Sequence, residues 1–196
     1  MALNPYSVHD LAEAVLGCVC AALDAVADQV EGQPGCPARA CVVPGAPAWD
    51  DCDAPCDGPG APGQLTVHVH RLYPSTRFPV EDIEVRGTPG CSPPAKTAAE
   101  LVVTLLRCAP VPTENGCPPP CEELSEAARI LHTDSTTLYN ALLCCLPQTG
   151  TGNRRRGPQF VLGGQRTIGP QGGCVGIEQR VIVALPGCSP CPGDRP

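Results

Sequence analysis

Glu100-Leu101-Val102-Val103-Thr104-Leu105-Leu106-Arg107-Cys108-Ala109 is the stretch that decides the fold of this chain. Successive side chains of an extended chain point to opposite faces, and here Leu101, Val103 and Leu105 alternate with Val102 and Leu106, so both faces are apolar. Such a strand belongs at the centre of a sheet, with helices over one face and a loop or a neighbour over the other. Upstream, Gln64 to Tyr73 alternates instead. Leu65, Val67, Val69 and Arg71 point one way and Thr66, His68, His70 and Leu72 the other, which reads as a half-buried strand. A weaker strand is expected over 80–86 and a short one over 40–43. Downstream, segments 159–165 and 174–185 face each other across Gly169-Pro170-Gln171-Gly172-Gly173 and read as a hairpin.

Two helices frame these strands. Ser7 followed by Asp10 has the form of a capping box. Val8, Leu11, Ala12, Val15, Leu16, Val19, Leu23, Val26 and Val30 then recur three and four apart, which predicts a helix over 7–31 that Gly32 and Pro34 stop. Glu122 and Glu123 open a second helix against the positive end of its dipole. Its seam runs through Leu124, Ala128, Leu131, Ser135, Leu138, Leu142 and Cys145 until Pro147 ends it. The order is helix, three or four strands, helix, two strands, without internal repeat. The fold class expected is α+β: one domain over 1–196 with a mixed, mainly antiparallel sheet flanked by two long helices. A Cys-, Pro- and Gly-rich insertion at 33–63 interrupts it, and an insertion that long marks a functional or stapled segment.

With 42% hydrophobic and 17% charged residues but 3% aromatics, the chain is globular with an aliphatic core. A net charge of −7 repels nucleic acid unless the arginines cluster on one surface, so sequence-specific DNA binding is not expected. Twelve of the thirteen basic residues are Arg, with Lys96 the exception, a pattern that GC-rich genes tend to encode.

Fifteen cysteines in 196 residues exceed what a chain of this length needs to build a core. Met1 to Val30 has no Lys or Arg, and Asp10, Glu13 and Asp24 interrupt its apolar residues, so it reads neither as a secretory leader nor as a membrane span. Cys36, Cys41, Cys52 and Cys56 lie in the insertion at spacings that suit two disulfides better than a structural zinc site. Cys117 and Cys121 straddle the entry to the second helix and can pair. Cys188-Ser189-Pro190-Cys191 has thioredoxin-type spacing but no following helix to activate its thiol, so it reads as a terminal staple. Cys18, Cys20, Cys144 and Cys145 cannot pair with their near neighbours; they seek partners in other elements, stay reduced, or bridge subunits.

Catalytic constellations are scarce, and neither enzymatic activity nor a cofactor is expected. His132 and Asp134 read as a helix face, and His9 as surface. His68 and His70 have a spacing that binds zinc only if a third ligand arrives from elsewhere. Arg154, Arg155 and Arg156 form the one basic run, either a solvated loop tip or a contact to an acidic partner or to DNA phosphates. Gly163-Gly164-Gln165 matches the tripeptide of peptide-release factors without their basic context.

Several segments together carry a resemblance. They are Leu72-Tyr73-Pro74-Ser75; Leu101-Val102-Val103-Thr104-Leu105-Leu106-Arg107-Cys108-Ala109-Pro110-Val111-Pro112; Cys121-Glu122-Glu123-Leu124; Asn140-Ala141-Leu142-Leu143-Cys144-Cys145-Leu146; and Gly169-Pro170-Gln171-Gly172-Gly173-Cys174-Val175-Gly176. This set resembles cysteine-rich neck proteins of long-tailed actinobacteriophages over most of residues 64–191. The resemblance implies a virion protein made in the host cytoplasm, which also fits a high cysteine load without a leader. Within the neck it is similar to tail terminators: α+β subunits in a six-membered ring that touches the tail tube protein and the head-side connector or stopper and lets genomic DNA pass. A mainly helical adaptor, a small β-barrel stopper and a cysteine-rich zinc-binding module are the alternatives. The cysteine content and the insertion depart from small terminators and leave the ring contacts undefined.

Overall fold

The first helix, α1 (Ser7–Ala27), forms where the apolar residues recur at helical spacing, and Ala12, Val15, Val19 and Leu23 are its buried stripe. The computed structural model describes residues 7–47, 61–84, 97–112, 114–146, 159–171 and 173–185. Regular helix ends four residues before the expected stop. Gln29 N–H turns back to the Val26 carbonyl, an i−3 bond at 3.0 Å that tightens the chain ahead of Gly32 and Gly35, both at positive φ.

Among the described residues five strands follow in a single sheet of order β1-β2-β3-β5-β4: β1 (Pro37–Val42), β2 (Ala61–Pro74), β3 (Thr97–Cys108), β4 (Phe160–Gln171) and β5 (Cys174–Leu185). β1 runs parallel to β2, and the other pairings are antiparallel. The second helix, α2 (Cys121–Cys145), lies between β3 and β4 in the chain. The α+β class, the central place of β3 and the β4–β5 hairpin all agree with the sequence. The short strand of the insertion is β1, three residues earlier than expected.

Both helices pack on one sheet face. Leu65 and Val67 of β2, Leu101, Val103 and Leu105 of β3, and Ile177, Val181 and Val183 of β5 join α1 and the second half of α2 in one aliphatic core. Each such side chain contributes roughly 1.5–3 kcal/mol when fully covered. Of the seam of α2, Leu131, Leu138 and Leu142 are buried and Ser135 and Cys145 partly so, whereas Leu124, counted as part of it, is 45% exposed.

Three expectations for the strands are corrected. β2 is not half-buried, since Thr66 and His68 on its other face are 1% and 7% exposed while Leu65 and Val67 are fully covered. Nor does Arg71 share a face with Val69. The register slips between Val69 and Arg71, a β-bulge at His70 that turns Arg71 onto the face of Thr66 and His68, opposite Glu100. Finally, 80–84 is no strand. Thr76 donates both its N–H and its hydroxyl to the Asp82 carboxylate, at 2.8 and 2.9 Å, and Tyr73 donates its hydroxyl to the Pro79 carbonyl, so the segment folds back as a loop. Gly63 carries one strict glycine requirement: its φ is +98°, and a side chain there would run into the Leu106 carbonyl. Among the described residues no helix is long and apolar enough to cross a membrane.

Candidate functional site

A charged residue inside an otherwise apolar strand must find a partner when it is buried. Arg107, next to last in β3, is 5% exposed on the helix side, and Asp134 of α2 is fully buried beside it. The pair is bidentate, Nε to Oδ2 at 2.8 Å and Nη2 to Oδ1 at 3.1 Å. The remaining guanidinium donors reach the Gly35 carbonyl at 2.6 Å and the Pro62 carbonyl at 3.3 Å. Gln33 donates to Asp134 Oδ1 at 2.6 Å and to the Ile130 carbonyl at 3.3 Å. One knot thus ties β3, α2, the segment after α1 and the start of β2. Its carboxylate is saturated by donors and sealed from water, so it serves as a tie rather than a general base. Asp134 is therefore a packed helix residue, and His132 beside it is exposed.

Two disulfides reinforce the same core. Cys18 of α1 is bonded to Cys145 at the end of α2, and Cys20 of α1 to Cys36 just before β1. Partners in other elements were one of the fates expected for Cys18, Cys20 and Cys145. The pairing of Cys36 within the insertion is corrected: alternate sides of one helix present Cys18 and Cys20 to two different neighbours, and Cys36 is the thiol that meets Cys20. Cys36 is thereby also removed from any four-thiol zinc set. Cys41 is a free, partly buried thiol on β1, and Cys121 is a free, exposed one, so the Cys117–Cys121 staple is not formed. Cys108 and Cys174 are both disulfide-bonded. Cys52, Cys56, Cys188, Cys191 and the run Arg154, Arg155 and Arg156 lie outside the described residues.

The opposite sheet face carries an ionic ladder. Glu100 of β3 accepts from Arg71 Nε at 2.6 Å and from Arg180 Nη1 at 3.0 Å. Glu178 of β5 accepts from Arg166 at 2.9 Å and lies 3.5 Å from Arg180. Arg71 also pairs with Glu81 at 2.6 Å. Burial pushes the carboxyls of Glu100 and Glu178 up, but the arginine hydrogen bonds and charges outweigh it and hold both below the ordinary glutamate range. On this face His68 and His70 stand edge to face with ring centroids 6.5 Å apart. Burial first, then the neighbouring His70, pushes the His68 imidazole down; Glu178 raises it and Arg180 lowers it further. Among the described residues no group of three His, Cys, Asp or Glu side chains is placed to hold a metal ion.

These shifts fix a pH dependence. His68 binds its proton more weakly when folded, so its share of stability falls as pH drops below the ordinary histidine value of 6.5. The depressed Glu100 and Glu178 stabilise fully above the ordinary glutamate value of 4.5 and lose that contribution as pH falls through their folded values. Urea midpoints are expected to decline in two stages on acidification, and His68→Gln should flatten the upper stage alone. An unchanged upper stage in that variant would refute the assignment.

No protein-family model matches this chain, and no curated protein matches it either. What it does chemically must come from its own residues. Gly163-Gly164-Gln165 has a structural explanation. The two glycines form the bulge of β4, where fully buried Gln179 donates to the Gly163 carbonyl at 2.8 Å. Gln165 donates to the Ser135 carbonyl at 3.1 Å and accepts from the Ser135 hydroxyl, which fastens β4 to α2. Sequence reasoning missed the knot of Arg107 with Asp134, although a signal existed. Asp134 falls between Leu131 and Leu138 at core spacing, and Arg107 continues the run Leu101, Val103, Leu105. It missed the ladder because the bulge that turns Arg71 toward Glu100 leaves no mark in the alternation.

Proposed function

We propose that this chain is a structural subunit of a phage neck, a tail terminator-like ring component that caps the tail tube and joins it to the head-side connector while leaving a channel for DNA. The observation that carries the reading is the cross-braced two-layer body: two helices on one face of a mainly antiparallel five-stranded sheet, bonded together by Cys18–Cys145 and by the buried knot of Arg107 with Asp134. A ring subunit transmits load through a fixed shape, and these ties supply one. The architecture supports a terminator over an adaptor, which is mainly helical, or a stopper, which is a small barrel. The buried ion pair of Arg107 with Asp134 is spent on holding β3 to α2, which is the chemistry of scaffolding. An acidic chain, net −7, lets DNA slide through such a ring rather than adhere to it.

Electron microscopy of the purified protein and of virions carrying it tests the proposal. A sixfold ring at the head–tail junction is the expected result. A stable single chain with hydrolytic activity, or a location away from that junction, overturns it.

A further inference from the structure

Cys41 stands beside two buried polar groups that lack partners. Ala40 and Val42 of β1 pack on the core, which turns Cys41 between them to the opposite sheet face. It pairs in register with Thr66 of β2, and Thr66 and His68 share that face. Adjacent strands lie about 4.8 Å apart and alternate residues of one strand about 6.6 Å, so thiol, hydroxyl and imidazole occupy one small area near the β1 edge. Thr66 is 1% exposed and His68 7%, yet among the described residues neither Thr66 Oγ1 nor His68 Nδ1 has a hydrogen-bond partner. Buried polar groups are rarely left so, and two on neighbouring positions call for a group that completes both. Cys41 is a free thiol and only partly covered, open to small molecules. What the two groups lack is specific. The Thr66 hydroxyl has a proton to donate. Burial pushes the His68 imidazole down, so at neutral pH the ring is uncharged, and with its proton on Nε2 it offers Nδ1 as an acceptor. A thiol donates and accepts weakly, whereas an S–O–H group on Cys41 does both well and carries its oxygen one bond beyond the sulfur.

We propose that Cys41 is a site of oxidation by a hydroperoxide, and that Thr66 and His68 are the groups that hold the resulting sulfenic acid. The thiolate sulfur attacks one peroxide oxygen: the S–O bond forms, the O–O bond breaks, and the second oxygen leaves as hydroxide and takes up the proton the thiol gave up. Sulfur loses two electrons and the peroxide gains them, so a thiol and hydrogen peroxide become a sulfenic acid and water. The Thr66 hydroxyl then donates to the new oxygen, whose own O–H donates to His68 Nδ1. An exposed sulfenic acid is lost to a second thiol or a second peroxide, while one held between two buried groups persists. The site needs only a single chain and stands apart from the ring reading.

Trapping with dimedone, which alkylates sulfenic acids and not thiols, tests the site on the disulfide-bonded full chain. Hydrogen peroxide is given as a pulse and removed with catalase, dimedone is added at once or after a delay, and peptide mass spectrometry reads each cysteine. Cys121, a free and exposed thiol, is the internal control. Cys41 is expected to be labelled still after the delay, when Cys121 no longer is. Thr66→Val, which keeps the shape and removes the hydroxyl, should shorten the lifetime at Cys41 about fivefold, the equilibrium worth of one ordinary hydrogen bond, and leave Cys121 unchanged. In urea the two cysteines should behave alike. Should Thr66→Val fail to fold by circular dichroism, the comparison of native with urea-unfolded wild type carries the test. Absence of label at Cys41, or equal lifetimes at Cys41 and Cys121 in the folded chain, would overturn the proposal, since water would then be what meets the two polar groups. A long-lived label at Cys41 that folded Thr66→Val leaves untouched would overturn it too, because the hydroxyl would have no part in holding the oxidised sulfur.

Discussion

Replacing Asp134 with Ala is expected to lower the free energy of unfolding by about 3–5 kcal/mol, because it strands the Arg107 guanidinium in a site without water. The loss spreads further than one pair. Gln33 loses its 2.6 Å acceptor, and the segment carrying Gly35, which also receives the guanidinium at 2.6 Å, is left tied to an unneutralised cation. A domain of ordinary stability, about 5–15 kcal/mol, would be left marginal at the lower end of that range. Equilibrium urea denaturation measures the effect, and Asp134→Asn separates charge from shape by keeping the size while removing the carboxylate. The companion variant, Arg107→Met with Asp134→Leu, should recover most of the loss, since an apolar pair of similar volume is often as stable as a buried ion pair. A cost under about 1 kcal/mol for Asp134→Ala, the scale of an exposed pair, would mean that water reaches the site and that the knot is no structural tie.

The second large effect is expected from Cys18→Ser with Cys145→Ser. The bond joins residues 127 apart in sequence. By the chain-entropy account a loop of roughly that length contributes about 4–5 kcal/mol, against about 3 for a loop near the length closed by Cys20–Cys36. Removing the longer link should therefore lower the melting temperature by on the order of 10 °C, at about 2–4 °C per kcal/mol for a chain of this size. The shorter link should matter less. Thermal unfolding of the two double variants in parallel checks the ranking, and non-reducing electrophoresis confirms which bonds are present. Equal melting temperatures for wild type and the Cys18/Cys145 variant would refute the claim that this link braces the two helices against each other.

The framework was legible where the physics is local and periodic. Ala12, Val15, Val19 and Leu23 announce a buried helix stripe by spacing alone, and a strand apolar on both faces, such as 101–106, has no stable place but the middle of a sheet. Two kinds of information were not local. A β-bulge costs one residue and leaves composition untouched, so the turn of Arg71 toward Glu100 could not be seen in the alternation of Gln64 to Tyr73. Disulfide partners depend on which surfaces the fold brings together. Cys36 reads as an insertion cysteine until α1 is laid against the start of β1, where Cys20 becomes its neighbour. The buried knot falls between these cases. Arg107 and Asp134 each occupy a position that periodicity assigns to the core, and two opposite charges assigned to one core already imply that they meet.

The two links from α1 also differ in when they become available during synthesis. Cys20 and Cys36, 16 positions apart, emerge from the ribosome almost together, whereas Cys18 must wait for 127 further residues, the sheet centre and nearly all of α2 among them. Oxidation at Cys18 therefore records that the polypeptide has been completed through its second helix and docked, and a truncated product would carry the first link without the second.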